Sequence, residues 1–288
     1  MTIPSRLVSA VKTRSLAVFV GAGLSKQSDP KHFPSWAELL RRMLAEGAIA
    51  GHLSIPFKKD VEELIARDRL LMAAEALRAA LPIDFYQAYL ERGFDPPHVL
   101  PSEAHRLLFA LQPRFLITTN YDRLLEDTYA ERNKKSLTVI PYSNAEAVQR
   151  RLQDDRLPDR PFLFKIHGDI EDVRSIILTE SDYRKLLFDE HGYQIVLSTI
   201  FIHYVVLFVG FSLGDAELNL LLTQIRHSLK AGNQPDYVLL ADNSLNNVEI
   251  ARFRNDYGLE VITYPYDSTH SGLRVFLEAL HASTKPAS

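Results

Sequence analysis

Apolar residues in this chain fall into short, nearly unbroken runs separated by longer stretches with helical spacing. Six runs stand out: LAVFV (16–20), RFLITT (114–119), PFLFKI (161–166), YVVLFV (204–209), DYVLLA (236–241) and LEVITY (259–264). They are rich in β-branched and aromatic residues and apolar at consecutive positions. That pattern predicts strands buried on both faces, as in a parallel sheet. SIILT (175–179) reads as one more strand. Between the runs lie helical patterns. After Gly214 and Asp215, the residues Leu218, Leu221, Leu222, Ile225 and Leu229 form a stripe on one helix face. TESDYRKLLF opens with Thr179 and Asp182 at capping-box spacing. Alternating strands and helices predict an α/β fold, a doubly wound, Rossmann-like and mostly parallel sheet.

Residues 35–100 break the alternation. SWAELLRRMLAEG, DVEELIARD, LLMAAEALRAAL and DFYQAYLERG are amphipathic helical patterns, with no strand signal between them. The expected organisation is therefore a Rossmann-like domain from residues 1–34 and 101–288, with a helical module inserted at 35–100. A second insert is expected near 141–160, where charges and prolines thin the apolar signal. The tail ASTKPAS is expected to be disordered.

Composition narrows the chemistry. The 288 residues carry a net charge of −3 and include no cysteine. Disulfides, thiolate zinc sites and cysteine nucleophiles are excluded. The basic surplus that supports autonomous duplex binding is missing, so no direct nucleic-acid binding is expected. Lys12 and Arg14 interrupt the N-terminal region before a signal peptide can form. The longest apolar run, YVVLFVGFSL, is half of the roughly 20 residues a membrane span needs. A cytoplasmic protein with no membrane contact is the expectation.

Four polar motifs follow predicted strands. Gly21-Ala22-Gly23-Leu24-Ser25 ends the first, and two glycines there allow a close backbone approach, with a helix N-terminus suited to a phosphate. Lys26 stands where a dinucleotide fingerprint wants a third glycine, so a plain tight turn explains this motif equally well. Thr118-Thr119-Asn120-Tyr121-Asp122 ends the second. An N-cap accounts for Asn120 or Asp122 but not readily for both. Lys165-Ile166-His167-Gly168-Asp169 ends the third, and a lone histidine there is more often structural than catalytic. Gly210, Ser212 and Asp215 follow the fourth, Asp215 being a natural N-cap. All four would emerge at the carboxyl edge of one sheet, where doubly wound folds bind ligands.

Taken together and in this order, GAGLS, TTNYD, HGD and VGFSLGD resemble the sirtuin-like NAD-binding superfamily, from about Val18 to Asp215, with a looser continuation into LLADN. Sirtuins read GAG-x-S, TQN-x-D, HG and G-x-S at these places. Thr119 and the FPSW stretch (33–36) are closer to a bacterial sirtuin-like branch associated with NAD depletion in antiphage defence. The resemblance implies an NAD glycohydrolase that breaks the nicotinamide–ribose bond, with NAD as substrate and no metal. It implies that Asn120 holds water or ribose hydroxyls near the anomeric carbon. His167 would act as general base or orient a ribose hydroxyl, a task suited to an imidazole's ordinary pKa of about 6.5.

By the same resemblance, Asp122 supports the nicotinamide amide side. Gly21, Ala22 and Gly23 take the pyrophosphate, with Ser25 close by. Gly210 and Ser212 contact phosphate or the adenosine ribose, and Asp242 or Asn243 the adenosine ribose. It further implies a homo-oligomer and a HerA-type hexameric ATPase as partner. Two departures count against protein deacylation: the four-cysteine zinc ribbon is missing, and KQSDPKHFPSW lacks the Phe-Arg pair of the deacylase loop. A sensor that binds NAD or ADP-ribose without turnover is the other alternative.

Overall fold

The computed structural model describes residues 2–96, 98–153, 160–211, 219, 222–223 and 235–285. Among these residues, seven strands form one sheet in the order β3-β4-β2-β1-β5-β6-β7. They are β1 (Leu16–Val20), β2 (Phe115–Thr118), β3 (Thr138–Pro141), β4 (Phe162–Lys165), β5 (Val205–Val209), β6 (Asp236–Ala241) and β7 (Leu259–Tyr264). Every ladder is parallel. The six apolar runs all become strands, within a residue or two at their ends. The fold is the α/β, Rossmann-like sheet that their continuity predicts.

The seventh strand is a correction. SIILT does not join the sheet. Its residues alternate between two cores: Ile177 enters the layer on one face of the sheet, while Ile176 and Leu178 enter a separate helical cluster. The segment thus has strand-like alternation without a ladder, held by Ile177 N–H donating to His167 O at 2.8 Å. The seventh strand is instead TVIP at the sheet edge. Edge exposure breaks its apolar run, and an edge tolerates Pro141.

Alternate strand residues face opposite ways, as a two-residue period requires. Phe19, Phe115, Phe164 and Phe208 fill one layer, with Phe19 stacked on Phe208 at 4.8 Å. Val18, Leu116, Leu163 and Leu207 fill the other. Helices α1 (Ser5–Lys12), α7 (Glu103–Ala110), α8 (Leu124–Asn133) and, near the C-terminus, α13 (Ser271–Thr284) contribute to the second layer. Helices α9 (Ala145–Leu152), α10 (Glu180–Phe188) and α11 (His191–His203) cover the first. A short α12 (Asn247–Arg252) precedes β7.

The region expected as a second insert is the β3-to-β4 crossover, with Ala145 and Val148 of α9 in the core; residues 154–159 lie outside the described residues. Helix α13 runs through Thr284, three residues into the tail expected to be disordered, because its Leu273, Phe276, Leu277 and Leu280 pack on the sheet. Of the stripe after Asp215, Leu222 is buried; Leu218, Leu221, Ile225, Leu229 and Asp215 itself lie outside the described residues. The capping box at Thr179 and Asp182 forms as the spacing predicts.

Between β1 and β2 the chain carries a four-residue α2 (Ala22–Ser25) and then α3 (Trp36–Ile49), α4 (Ile55–Ala66), α5 (Leu70–Ala80) and α6 (Ile83–Phe94). Ser35 and Ser54 cap α3 and α4 by accepting from Glu38 N–H and Phe57 N–H. The inward faces of α3–α6 share a cluster of their own, built on Leu40, Met43, Leu77 and Leu90 and joined by Ile170, Ile176 and Leu178 from the loop after β4. These helices therefore rest on the carboxyl edge of the sheet.

Candidate functional site

The sheet order reverses direction at β1: the chain moves to β2 on one side and later to β5 on the other. The carboxyl ends of strands at such a switch point are the usual ligand crevice of doubly wound folds. Register brings the four motifs to one level there. Val20 pairs with Thr118 and with Val209, and Thr118 pairs with Lys165. Asn120 and His167 each follow their paired residue by two positions, on neighbouring strands. The ladder persists beyond the strand ends, with Ile166 N–H donating to Thr118 O at 3.0 Å.

The glycines are explained first by close packing. A Cβ on Gly21 or Gly23 would lie 2.6 or 2.7 Å from Gly210 O, and one on Gly210 would lie 2.3 Å from Leu24 N. Gly210 also takes φ +68°, a left-handed conformation that glycine adopts without strain. Gly21 N–H donates to Val209 O and Gly23 N–H to Gly210 O, at 2.9 and 2.7 Å. Both amides expected to face a phosphate are thus engaged with the neighbouring turn. The exposed part of this turn is Ala22.

Asn120 sits at the centre of a buried polar relay. Its Nδ2 donates to Gly21 O at 3.2 Å and to Ser25 Oγ at 2.9 Å. Ser25 Oγ donates in turn to Asp122 Oδ2 at 2.6 Å, and Asp122 Oδ1 accepts from Leu124 N–H at 3.0 Å. Asn120 N–H donates to Thr118 Oγ1 at 3.0 Å. Gly21 O can only accept, so the amide nitrogen must face it and Oδ1 must point the other way. Asn120 is 8% exposed, and its Oδ1 is buried without a hydrogen-bond partner among the described residues. Ser25 and Asp122 therefore serve to fix the Asn120 amide. Burial pushes the Asp122 carboxyl up, against the opposing pull of Ser25 and Leu124 N–H.

His167 is 5% exposed, with its ring edge-on to Tyr183 at 5.2 Å. Gly168 after it takes φ +94°, and a Cβ there would lie 2.2 Å from Ser175 O. Glycine after the histidine is thus a requirement of the turn. Asp242 and Asn243 stand exposed at the end of β6, one strand beyond Gly210. Asp242 Oδ1 accepts from Tyr266 N–H at 3.0 Å, tying this end of β6 to the chain after β7. Ser212 lies outside the described residues.

Sequence reasoning missed Lys165. It ends β4 with no solvent exposure. Its Nζ lies 2.7 Å from Glu126 Oε1 and 3.0 Å from Asp169 Oδ1, and donates to Asp122 O at 2.8 Å and Tyr121 O at 3.2 Å. Burial alone would lower this ammonium; the Glu126 and Asp169 carboxylates outweigh it and hold it above its ordinary value. Burial pushes the Glu126 carboxyl up to about 7, against the pull of a Lys165 ammonium that it shares with Asp169. The signal was a lysine inside an otherwise apolar strand run.

The chain was compared with known proteins. The SIR2-like domain family matches residues 114–262, which is 149 of the 288 residues. The chain is 27% identical to the NAD(+) hydrolase ThsA of Enterococcus faecium over 82% of this chain and 45% of that protein. It is 26% identical to the protein of the same name from Bacillus cereus (strain MSX-D12), over 80% of this chain and 44% of the relative. It is also 26% identical to Defense-associated sirtuin 2 of Bacillus subtilis, over 89% of this chain and 24% of that protein. The chain thus spans less than half the length of these relatives. No described helix is long and apolar enough to cross a membrane.

Proposed function

The chain belongs to the SIR2-like domain family, and from that premise we propose that it is an NAD hydrolase acting in antiphage defence by NAD depletion. Water adds to the anomeric carbon as the C1′–nitrogen bond breaks. The bonding pair leaves with nicotinamide, and the water proton goes to a base, giving ADP-ribose, nicotinamide and a proton. The transition state is cationic at the sugar, so a fixed pose and correctly placed acceptors accelerate it. In this reading Asn120 Oδ1 accepts from a ribose hydroxyl or the attacking water. His167 takes the proton or orients a second hydroxyl. The turn at Gly21–Gly23 lies along the pyrophosphate and meets it through Ala22. Gly210, Asp242 and Asn243 face the adenosine half.

One observation carries the proposal. Asn120 Oδ1 is a buried acceptor without a partner among the described residues, held by a relay that keeps it pointing away from Gly21, at the carboxyl edge of the sheet. An orphaned buried acceptor costs about 1–3 kcal/mol, and a donor on a ligand would remove that cost. The relatives named NAD(+) hydrolase supply the ligand class. The test is incubation of the protein with NAD, with and without an acetyl-lysine peptide. Nicotinamide release without peptide supports the hydrolase. Release only with peptide means a deacylase, and no release means a binding-only sensor. The reading also includes a cytoplasmic location, self-association and a HerA-type hexameric ATPase partner; sedimentation alone and with that ATPase tests the last two.

A further inference from the structure

The two turns that carry Asn120 and His167 follow neighbouring strands, and contacts beyond the ladder add to what the register sets. Residues 119–123 follow β2 and residues 166–172 follow β4. One backbone contact joins them, Ile170 N–H donating to Tyr121 O at 3.1 Å, and Tyr121 OH ties the first turn to the chain beyond the second by donating to Ile177 O at 2.7 Å. The ammonium of Lys165 reaches both turns and the next helix. It donates to two carbonyls of the first turn, Tyr121 O and Asp122 O, and to Asp169 Oδ1 of the second. It also pairs with Glu126 in the first turn of α8. Asp169 is itself anchored, accepting from Glu171 N–H at 3.1 Å while its own N–H donates to Ser175 Oγ at 3.0 Å.

Nothing in local strand chemistry calls for a lysine here. Removing a charge from water costs several kcal/mol, and the site recovers that only through dense pairing. Such pairing leaves little freedom: an ammonium has three protons, and four acceptors surround it. We propose that Lys165 is a positioning residue that sets the separation between Asn120 and His167 by clamping their two turns to α8. It acts through the turns' backbone and through Asp169. This inference rests on the hydrolase reading for its effect on turnover and on geometry alone for the clamp itself.

The test uses the full chain with Lys165→Met, which keeps the length of the stem and removes the charge. Because all four acceptors then lose the ammonium, a second variant adds Glu126→Gln and Asp169→Asn to relieve the two unpaired carboxylates; whichever variant folds is measured. Amide hydrogen exchange is expected to accelerate about tenfold or more in both turns, 119–123 and 166–172, with β1 and β7 unchanged. NAD turnover is expected to show a kcat loss of about 10²-fold with KM within about threefold of the parent, since misplacing reacting groups by about 1 Å costs that much. Lys165→Arg, which keeps the charge, recovers part of kcat. Unchanged exchange in both turns, or equal acceleration across the whole sheet, overturns the clamp. A kinetic loss confined to KM overturns the positioning role. If the parent releases no nicotinamide, the hydrolase reading fails while the exchange measurement still decides the clamp.

Discussion

Replacing Asn120 by alanine separates a residue kept for folding from one kept for a ligand. The substitution removes two hydrogen bonds, from Nδ2 to Gly21 O and to Ser25 Oγ. At about 0.5–1.5 kcal/mol each, that is a loss of about 1–3 kcal/mol. Neither partner is stranded, because Gly21 O still accepts from Leu24 N–H at 3.0 Å and Ser25 Oγ still donates to Asp122. The same change deletes the orphaned Oδ1, whose burial costs a similar 1–3 kcal/mol, roughly. The two nearly cancel, so stability is expected to stay within about 1–2 kcal/mol, a shift of a few degrees in Tm.

Turnover is expected to fall about 10²–10³-fold, the usual effect of deleting one preorganised polar group. Asn120→Asp supplies the contrast. It sets an oxygen against Gly21 O and adds a carboxyl beside Asp122, so it is expected to cost more than about 2 kcal/mol. Thermal unfolding without ligand and nicotinamide release together read all of this. An alanine variant that loses stability heavily while cleaving NAD at the parent rate would refute the reasoning, since Asn120 would then be a structural bracket.

His167→Ala is expected to remain folded and to lose about 10²-fold in kcat, read by the same nicotinamide assay; parental turnover would exclude a role in the chemistry. Gly168→Ala forces a left-handed φ and a 2.2 Å approach to Ser175 O, and is expected to cost more than about 2 kcal/mol, measured by denaturant unfolding. Asp236→Asn tests a titration far from the site. Asp236 begins β6, accepts from Val206 N–H at 2.8 Å, and is pushed up to about 7 by burial. A carboxyl raised in the folded state holds its proton longer there than when unfolded, so it costs stability as pH rises from about 4 to 7. Asparagine keeps the acceptor and lacks the proton. Its stability relative to the parent is therefore expected to grow across that window by up to about 4 kcal/mol, at about 1.4 kcal/mol per pH unit. A constant difference between pH 4 and pH 8 would contradict this.

Much of the architecture was legible in the chain because burial on both faces of a parallel strand leaves an unbroken apolar run. LAVFV, YVVLFV, DYVLLA and LEVITY could hardly be anything else. Thr138–Pro141 was not legible, since an edge strand is half-exposed and its pattern dissolves. SIILT misled for the opposite reason: it alternates between two cores and so imitates a strand. At the candidate site, residue types and strand ends were readable, and they named Asn120, His167 and the glycines. Their partners were not, because a side chain's hydrogen bonds depend on which strands become neighbours. Only the order β4-β2-β1-β5 put Gly210 against Gly21 and Gly23 and left Asn120 beside Ser25 with one acceptor unmatched. The same order surrounded Lys165 with carboxylates from α8 and the next turn. Local periodicity is written in consecutive residues; apart from Lys165 with Asp169, four positions on, these contacts join positions roughly 40 to 190 residues apart, and only packing could decide them.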